Sequence, residues 1–215
     1  MEAVMAAKRS RSSAKESPPP ADPAEVALDA MLRLAASRRW SEISLADIAA
    51  EADMPMSDLR PHATSKTALL ASFGRRIDAA MLAAPVDAEG SVKDRLFDLI
   101  MRRFDALGPH KAAVRSILAD LGRDPLAAFC LVPGGMKSIA GLAEAAGVNT
   151  RFPLGPLKIK ALAAVYLGTF RVWLDDESAD AAKTMASLDK SLGRLEALTS
   201  NLPAFLKGSR PTVTA

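Results

Sequence analysis

Residues 44–70 read SLADIAAEADMPMSDLRPHATSKTALL, and the order of apolar and turn-forming residues in this stretch decides the fold. Leu45, Ile48, Ala49 and Ala52 fall at the three- and four-residue spacing of one helix face. Asp53 sits where the chain must turn, Leu59 returns to the same small core, and Ser65 is placed to cap the next helix. The pattern predicts two short helices around a tight turn and a longer helix after them, a helix-turn-helix. Upstream, residues 25–37 carry Val26, Ala27, Ala30, Met31, Leu34 and Ala35 at helical spacing, and Trp40 closes the core they form with it. Downstream, residues 65–83 present Leu69, Leu70, Phe73, Ile77, Ala80 and Met81 on one face before Pro85 ends the helix.

The end of the second short helix reads Leu59, Arg60, Pro61, His62, Ala63, Thr64, Ser65, Lys66, Thr67, Ala68, Leu69. It resembles the end of the recognition helix in TetR-family transcriptional repressors, Leu-Tyr-x-His-Phe-x-Ser-Lys-x-x-Leu. Leu59, His62, Ser65, Lys66 and Leu69 match, whereas Arg60 and Ala63 stand where the family has tyrosine and phenylalanine. Asp53 takes the place of the family's turn glycine, and it tolerates a positive φ better than most side chains. Pro61 lacks an amide to bond back to residue 57 and pushes Arg60 away from helical angles, so the recognition helix is expected to end about a turn early.

The resemblance implies an all-α chain with an N-terminal three-helix helix-turn-helix domain and a larger helical ligand-binding and dimerisation domain. It implies a double-stranded DNA operator met by Ser44, Pro55, Met56 and Ser57, and by Asp58, Arg60, His62 and Lys66. It also implies a homodimer, and a connecting helix (65–83) that swings when the body binds a ligand.

Charge constrains such a reader. Residues 24–83 hold seven basic side chains (Arg33, Arg38, Arg39, Arg60, Lys66, Arg75, Arg76) and eight acidic ones (Glu25, Asp29, Glu42, Asp47, Glu51, Asp53, Asp58, Asp78). Phosphate neutralisation supplies most non-specific DNA affinity, so a near-neutral reader must gather its cations on one edge. Arg38, Arg39, Arg60, Lys66 and the N-terminal segment are the candidates.

The chain has 215 residues, 49% of them hydrophobic, enough for a helical body beside the small reader. The expected organisation is a tail over 1–23, the reader with its connecting helix over 24–83, the effector-binding and dimerisation body over 84–206, and a C-terminal tail over 207–215. The first tail is rich in Ala, Ser and Pro with Lys8, Arg9, Arg11 and Lys15, has no apolar periodicity and lacks the apolar run of a signal peptide. Glu2, Glu16 and Asp22 dilute its charge, which favours a solvated tail over a basic arm in the minor groove. The one cysteine, Cys130, forms no intrachain disulfide, fits a reducing cytoplasm and reads as a small apolar residue packed beside Phe129 and Leu131. The longest apolar stretches, such as 161–172, are too short to form a transmembrane segment.

Beyond Val86 the pattern is helical throughout, with segments expected at 92–107, 111–121, 125–131, 137–146, 157–174 and 179–198, broken at Gly134 and Gly135. Phe97, Ile100, Met101, Phe104, Ile117 and Leu121, with Phe129, Tyr166 and Phe170, could line a cavity for an apolar or amphipathic small-molecule effector, with Tyr166, Thr169 or Arg103 as polar anchors; a filled core is the alternative. By resemblance, Leu162, Trp173, Met185, Leu188, Leu192 and Leu195 on the last two helices form the dimer interface.

No enzymatic constellation, metal set or cofactor motif is found. His62 and His110 lack the carboxylate or cysteine spacing of a metal site, and Gly134-Gly135 lacks the spacing of a phosphate loop. Asp175, Asp176 and Glu177 precede a helix start, where carboxylates cap amides and meet the dipole. A second resemblance is carried by Asp176, Ser178, Asp180, Thr184, Leu188 and Asp189, which look like the C-terminal segment of lipid-binding ubiquinone-biosynthesis proteins that keep a TetR-like fold without DNA binding. On that reading the cavity holds an isoprenoid or acyl chain.

Overall fold

The computed structural model describes residues 22–151 and 154–200, so the expected C-terminal tail and most of the N-terminal one lie outside the described residues. Every regular element in these residues is a helix: α1 (Pro23–Ser37), α2 (Leu45–Glu51), α3 (Met56–Leu59), α4 (Lys66–Leu82), α5 (Val92–Leu107), α6 (Lys111–Leu121), α7 (Pro125–Ala145), α8 (Gly155–Asp175) and α9 (Ala182–Ser200). Single 3-10 turns at Trp40–Glu42 and Gly108–His110 lead into α2 and α6.

Local chemistry sets most of the boundaries. Asp22 accepts from the Ala24 amide at 3.0 Å and Pro23 fills the first turn of α1, which therefore starts inside the stretch expected to be tail. Ser65 and Asp124 accept from the Ala68 and Ala127 amides, and Ser91 with Asp94 forms a full capping box. At the other end of α7, Gly147 adopts φ +79° so that its amide reaches Glu144 O and the Val148 amide reaches Ala143 O, the paired bonds of a Schellman stop. Gly155 opens α8 where an added Cβ would lie 1.6 Å from Thr150 O, so the loop after α7 folds tightly over that start.

α1 packs on α2 and α6, α4 on α5 and α7, and α8 on α7 and α9. One continuous apolar core runs through all of them, from Ala27 and Met31 in α1 through Leu59, Phe73, Leu99 and Phe104 to Leu188 and Leu192 in α9. Trp40 is buried where it was expected.

α7 corrects the sequence reading, because it passes unbroken through Pro133, Gly134 and Gly135. A proline inside a helix costs about 3 kcal/mol through its lost hydrogen bond and ring clash. Here Phe129, whose carbonyl the proline leaves free, and residues 132–135 all face solvent, where water can take that carbonyl. Cys130 is likewise exposed and not packed. The resulting 21-residue helix contains an 18-residue window of mean hydropathy 1.5, long and apolar enough to cross a membrane by length and composition alone.

Candidate functional site

The helix-turn-helix is built by two local devices. At its start Ser44 Oγ accepts from the Asp47 amide at 3.1 Å while Asp47 Oδ2 accepts from the Ser44 amide at 2.7 Å. The Ser44 hydroxyl and then its amide hold the Asp47 carboxyl down, at about 2. At its end α2 stops by the same Schellman geometry as α7: the Asp53 amide bonds Ala50 O at 3.1 Å, the Met54 amide bonds Ala49 O at 3.0 Å, and Asp53 holds φ +50°. Asp53 thus does the work that Gly147 does in α7.

α3 is a single turn. Arg60 corrects one expectation, since it keeps helical angles (φ −55°, ψ −40°) and bonds back to Met56 O at 3.1 Å; after Pro61 the His62 and Ala63 amides both reach Leu59 O, at 3.0 and 2.9 Å, and the regular helix ends at Leu59. Leu59 and Ala63 are buried, and the alanine at the family's phenylalanine position fills its site without projecting outward. Ser44, Pro55, Ser57, Asp58, Arg60 and His62 are exposed, while Met56 packs partly on the core.

The cations expected on this edge are mostly engaged. Arg38 pairs with Asp47 at 3.4 Å, Arg39 Nε donates to Glu42 at 2.8 Å, and Arg33 Nε donates to Glu51 at 2.8 Å. Such exposed pairs are screened by water and contribute little, so a phosphate can take an arginine from its carboxylate at small cost. Lys66 is different: its ammonium donates to Trp40 O at 2.8 Å and lies 4.6 Å from the indole centroid. Burial lowers its pKa. Lys66, half-buried, thus ties the start of α4 to Trp40, and Arg60, just after α3, is an exposed cation without an ion pair among the described residues.

Sequence reasoning did not find the link between reader and body. Asp120 of α6 accepts from the Ser41 amide at 2.6 Å, and Ser116 donates to Arg38 O at 2.9 Å. Arg76 of α4 reaches Glu25 at 3.0 Å and Asp29 at 2.6 Å on α1, and its other Nη lies 3.4 Å from His110. Burial, then the neighbouring guanidinium, lower the His110 pKa. A cleft of about 330 Å³ opens beside this junction between α1 and α6, edged by Asp29, Arg33 and His110. These partners are 34 to 79 residues apart, beyond the reach of any local pattern.

In the body, Ile100, Phe104 and Ile117 are fully buried, and Phe97, Met101, Leu121, Tyr166 and Phe170 are half-buried. Phe104 is sandwiched among Tyr166, Phe170 and Trp173 with centroids 5.5, 6.2 and 5.6 Å away. Phe129 corrects the expectation: it is 71% exposed on the outer half of α7 and lines nothing with these residues. The expected dimer residues divide in the same way. Leu162, Trp173, Leu188 and Leu192 are buried in the chain's own core, which leaves only Met185 and Leu195 of that set partly accessible. The outward side of α8 carries Leu157, Ala164, Leu167 and Gly168 instead.

Asp176 is consumed by the α8–α9 corner. Its Oδ1 accepts from the Ser178 amide and hydroxyl, and its Oδ2 accepts from the Thr184 amide at 2.9 Å and hydroxyl at 2.8 Å. These bonds, led by the Ser178 hydroxyl, hold its pKa well below the usual carboxylate range. Among the described residues no group of three or more His, Cys, Asp or Glu side chains could hold a metal ion.

No protein-family model matches the sequence, and no curated protein matches it. Solved structures do match. A TetR transcriptional regulator from Nitrosomonas europaea aligns with TM-score 0.68 at 23% identity over 82% of this chain and 99% of its own. A TetR transcriptional regulator from Rhodococcus sp. RHA1 aligns with TM-score 0.58 at 16% identity over 84% and 97%. GusR of Salmonella enterica aligns with TM-score 0.54 at 21% identity over 80% and 94%. The chain has the all-α fold of TetR-family regulators, with an N-terminal helix-turn-helix and a larger helical domain.

Proposed function

We propose that the protein is a homodimeric TetR-like DNA-binding transcriptional regulator of the cytoplasm, a repressor released when an apolar or amphipathic small molecule binds its body. The observation that carries this reading is the head itself: two helices fixed by a capping box and a Schellman turn, a core sealed by Leu59 and Ala63, and Ser57, Arg60 and His62 left facing outward. In this reading α3 enters the major groove, with Ser44, Pro55 and Met56 beside it, and Arg38 and Arg39 exchange carboxylates for phosphates. Lys66 supports the head from within, through Trp40, and does not itself reach the duplex.

The dimer forms through the outward side of α8 around Leu157, Ala164 and Leu167, continued by Ala186 and Leu198 of α9, because the inward leucines are already used. An effector releases DNA only to the extent that it binds one spacing of the two heads more tightly than the other. The ties from α6 to Ser41 and Arg38, and the approach of His110 to Arg76 of α4, give the body two physical handles on each head.

A genome-wide pull-down at low salt, using fragments of the genome that encodes the protein, tests the reading. Capture of a small set of discrete sites is expected, and a protein that ignores every fragment refutes it. The lipid-carrier reading gains no support from the pattern that suggested it, since Asp176, Ser178 and Thr184 are used to cap α9.

A further inference from the structure

Four helices converge on one guanidinium inside the body. Arg103 of α5, whose side chain is 11% exposed, donates from Nε to Tyr166 Oη on α8 at 3.0 Å and from Nη1 to Ser138 Oγ on α7 at 2.8 Å. Nη1 also pairs with Asp78 Oδ1 on α4, and Ser138 donates to that same oxygen at 2.7 Å. The Asp78 grip is one-armed, a single oxygen on a single nitrogen. Nη2 has no partner among the described residues, yet no side-chain nitrogen or oxygen there is both sealed and unpartnered, so Nη2 meets solvent.

A guanidinium fork binds a carboxylate best with two parallel bonds, and this fork is half used. All of it but Nη2 is already desolvated, so an incoming anion bears less of the cost of stripping water from the site. Tyr166 supplies an apolar wall beside it, stacked on Phe104 and Phe170 at 5.5 and 5.7 Å. Charge selects the ligand class. A monoanion replacing Asp78 leaves one positive and one negative group at the site, whereas a phosphate dianion adds an uncompensated charge and an amine meets the guanidinium head-on.

We propose that Arg103 is the anchor of a binding site for a small carboxylic acid with an aryl or alkyl tail, whose carboxylate takes the guanidinium two-armed and displaces Asp78. Displacement unties α4 from α5 and α7, and α4 is the helix that carries the head. This deepens the regulator reading and rests on it for the consequence, though not for the binding.

Calorimetric titration of the full chain with 4-phenylbutyrate, 4-phenylbutanol and 4-phenylbutylamine tests it. The acid is expected to bind at millimolar concentration or below, with the alcohol and amine at least about tenfold weaker. Arg103→Gln should abolish that preference, Asp78→Asn should tighten the acid several-fold by removing its internal competitor, and Tyr166→Phe keeps the test usable should Arg103→Gln not fold, because it removes one member of the cluster and should loosen the fork. Amide exchange in α4 should rise on adding acid to the native chain and be raised already in Asp78→Asn. Absence of acid binding, equal binding of acid and alcohol, an unchanged preference in Arg103→Gln or a looser acid in Asp78→Asn overturns the proposal. The DNA pull-down on the same preparation keeps the two ideas apart: acid binding without DNA capture sinks the regulator reading alone, and DNA capture without acid binding sinks this one alone.

Discussion

Replacing Asp53 by glycine should stabilise the protein, and the size of the gain is set by the turn. An L-residue in the left-handed region costs about 1–2 kcal/mol, of which a short polar side chain recovers part. Glycine escapes that cost but loses about 0.5–1 kcal/mol more chain entropy on folding. Asp53 at φ +50° also sets a negative charge at the C-terminal end of α2, where the dipole disfavours it. The net gain for Asp53→Gly is about 0.5–1 kcal/mol, or about 1–4 °C in Tm for a chain of this length. Asp53→Asn removes only the charge, so the difference between the two variants isolates the backbone contribution, and Asp53→Ala should fall below the native chain. Gly147 offers the reciprocal measurement: it holds φ +79° in the same motif, and an added Cβ would sit 3.2 Å from Arg95 Nη2. Gly147→Ala should therefore destabilise where Asp53→Gly stabilises. Calorimetric melting decides it. An alanine at position 53 that raises Tm as much as glycine would show that the turn carries no backbone strain.

Lys66→Ala should lower stability by about 1–2 kcal/mol through the lost bond to Trp40 O and the lost contact with the indole, read as a shift of the urea midpoint, with little change in the salt slope of DNA binding. Arg60→Ala should do the reverse, flattening that slope by about one unit with no shift of midpoint. The depressed Asp47 carboxyl contributes stability that is complete above its unfolded value near 4 and lost as pH falls toward 2, so urea midpoints of Asp47→Asn should show a shallower acid fall than the native chain between those limits. Leu167→Asp should convert a dimer to monomer in sedimentation while leaving the melt of the subunit intact, whereas Leu162→Ala should cost about 2–5 kcal/mol of subunit stability.

Helix positions were legible wherever a cap, a proline or a glycine bounds an apolar period, as for α5 between Ser91 and Gly108, and for α6 between Pro109 and Gly122. Periodicity reports which side of a helix is buried but not against what, and for that reason Leu162, Leu188 and Leu192 read as an interface when they belong to the subunit's own core. Pro133 and the two glycines after it read as a break because their cost is local, whereas α7 is anchored by Ile139 and Leu142 in a core shared with the other helices. The bond from Lys66 to Trp40 O was not legible because the two lie 26 residues apart, and the Arg103 cluster was invisible as a cluster for the same reason. The early end of α3 was legible because Pro61 has no amide to bond back to Ser57, a local effect, although Arg60 before it stays helical.

The unbroken core has a consequence for anyone who would re-engineer this protein. Because the apolar interior passes from α1 to α9 without a seam, and α6 grips the loop after α1 through Asp120 and Ser116, the head cannot be exchanged as a cassette cut at the start of α4 or after α4. A chimera with a new helix-turn-helix has to import α6, or at least its two polar side chains, together with the grafted segment. Alternatively, α3 and the turn after it can be rewritten on their solvent side, where Ser57, Arg60 and His62 are exposed.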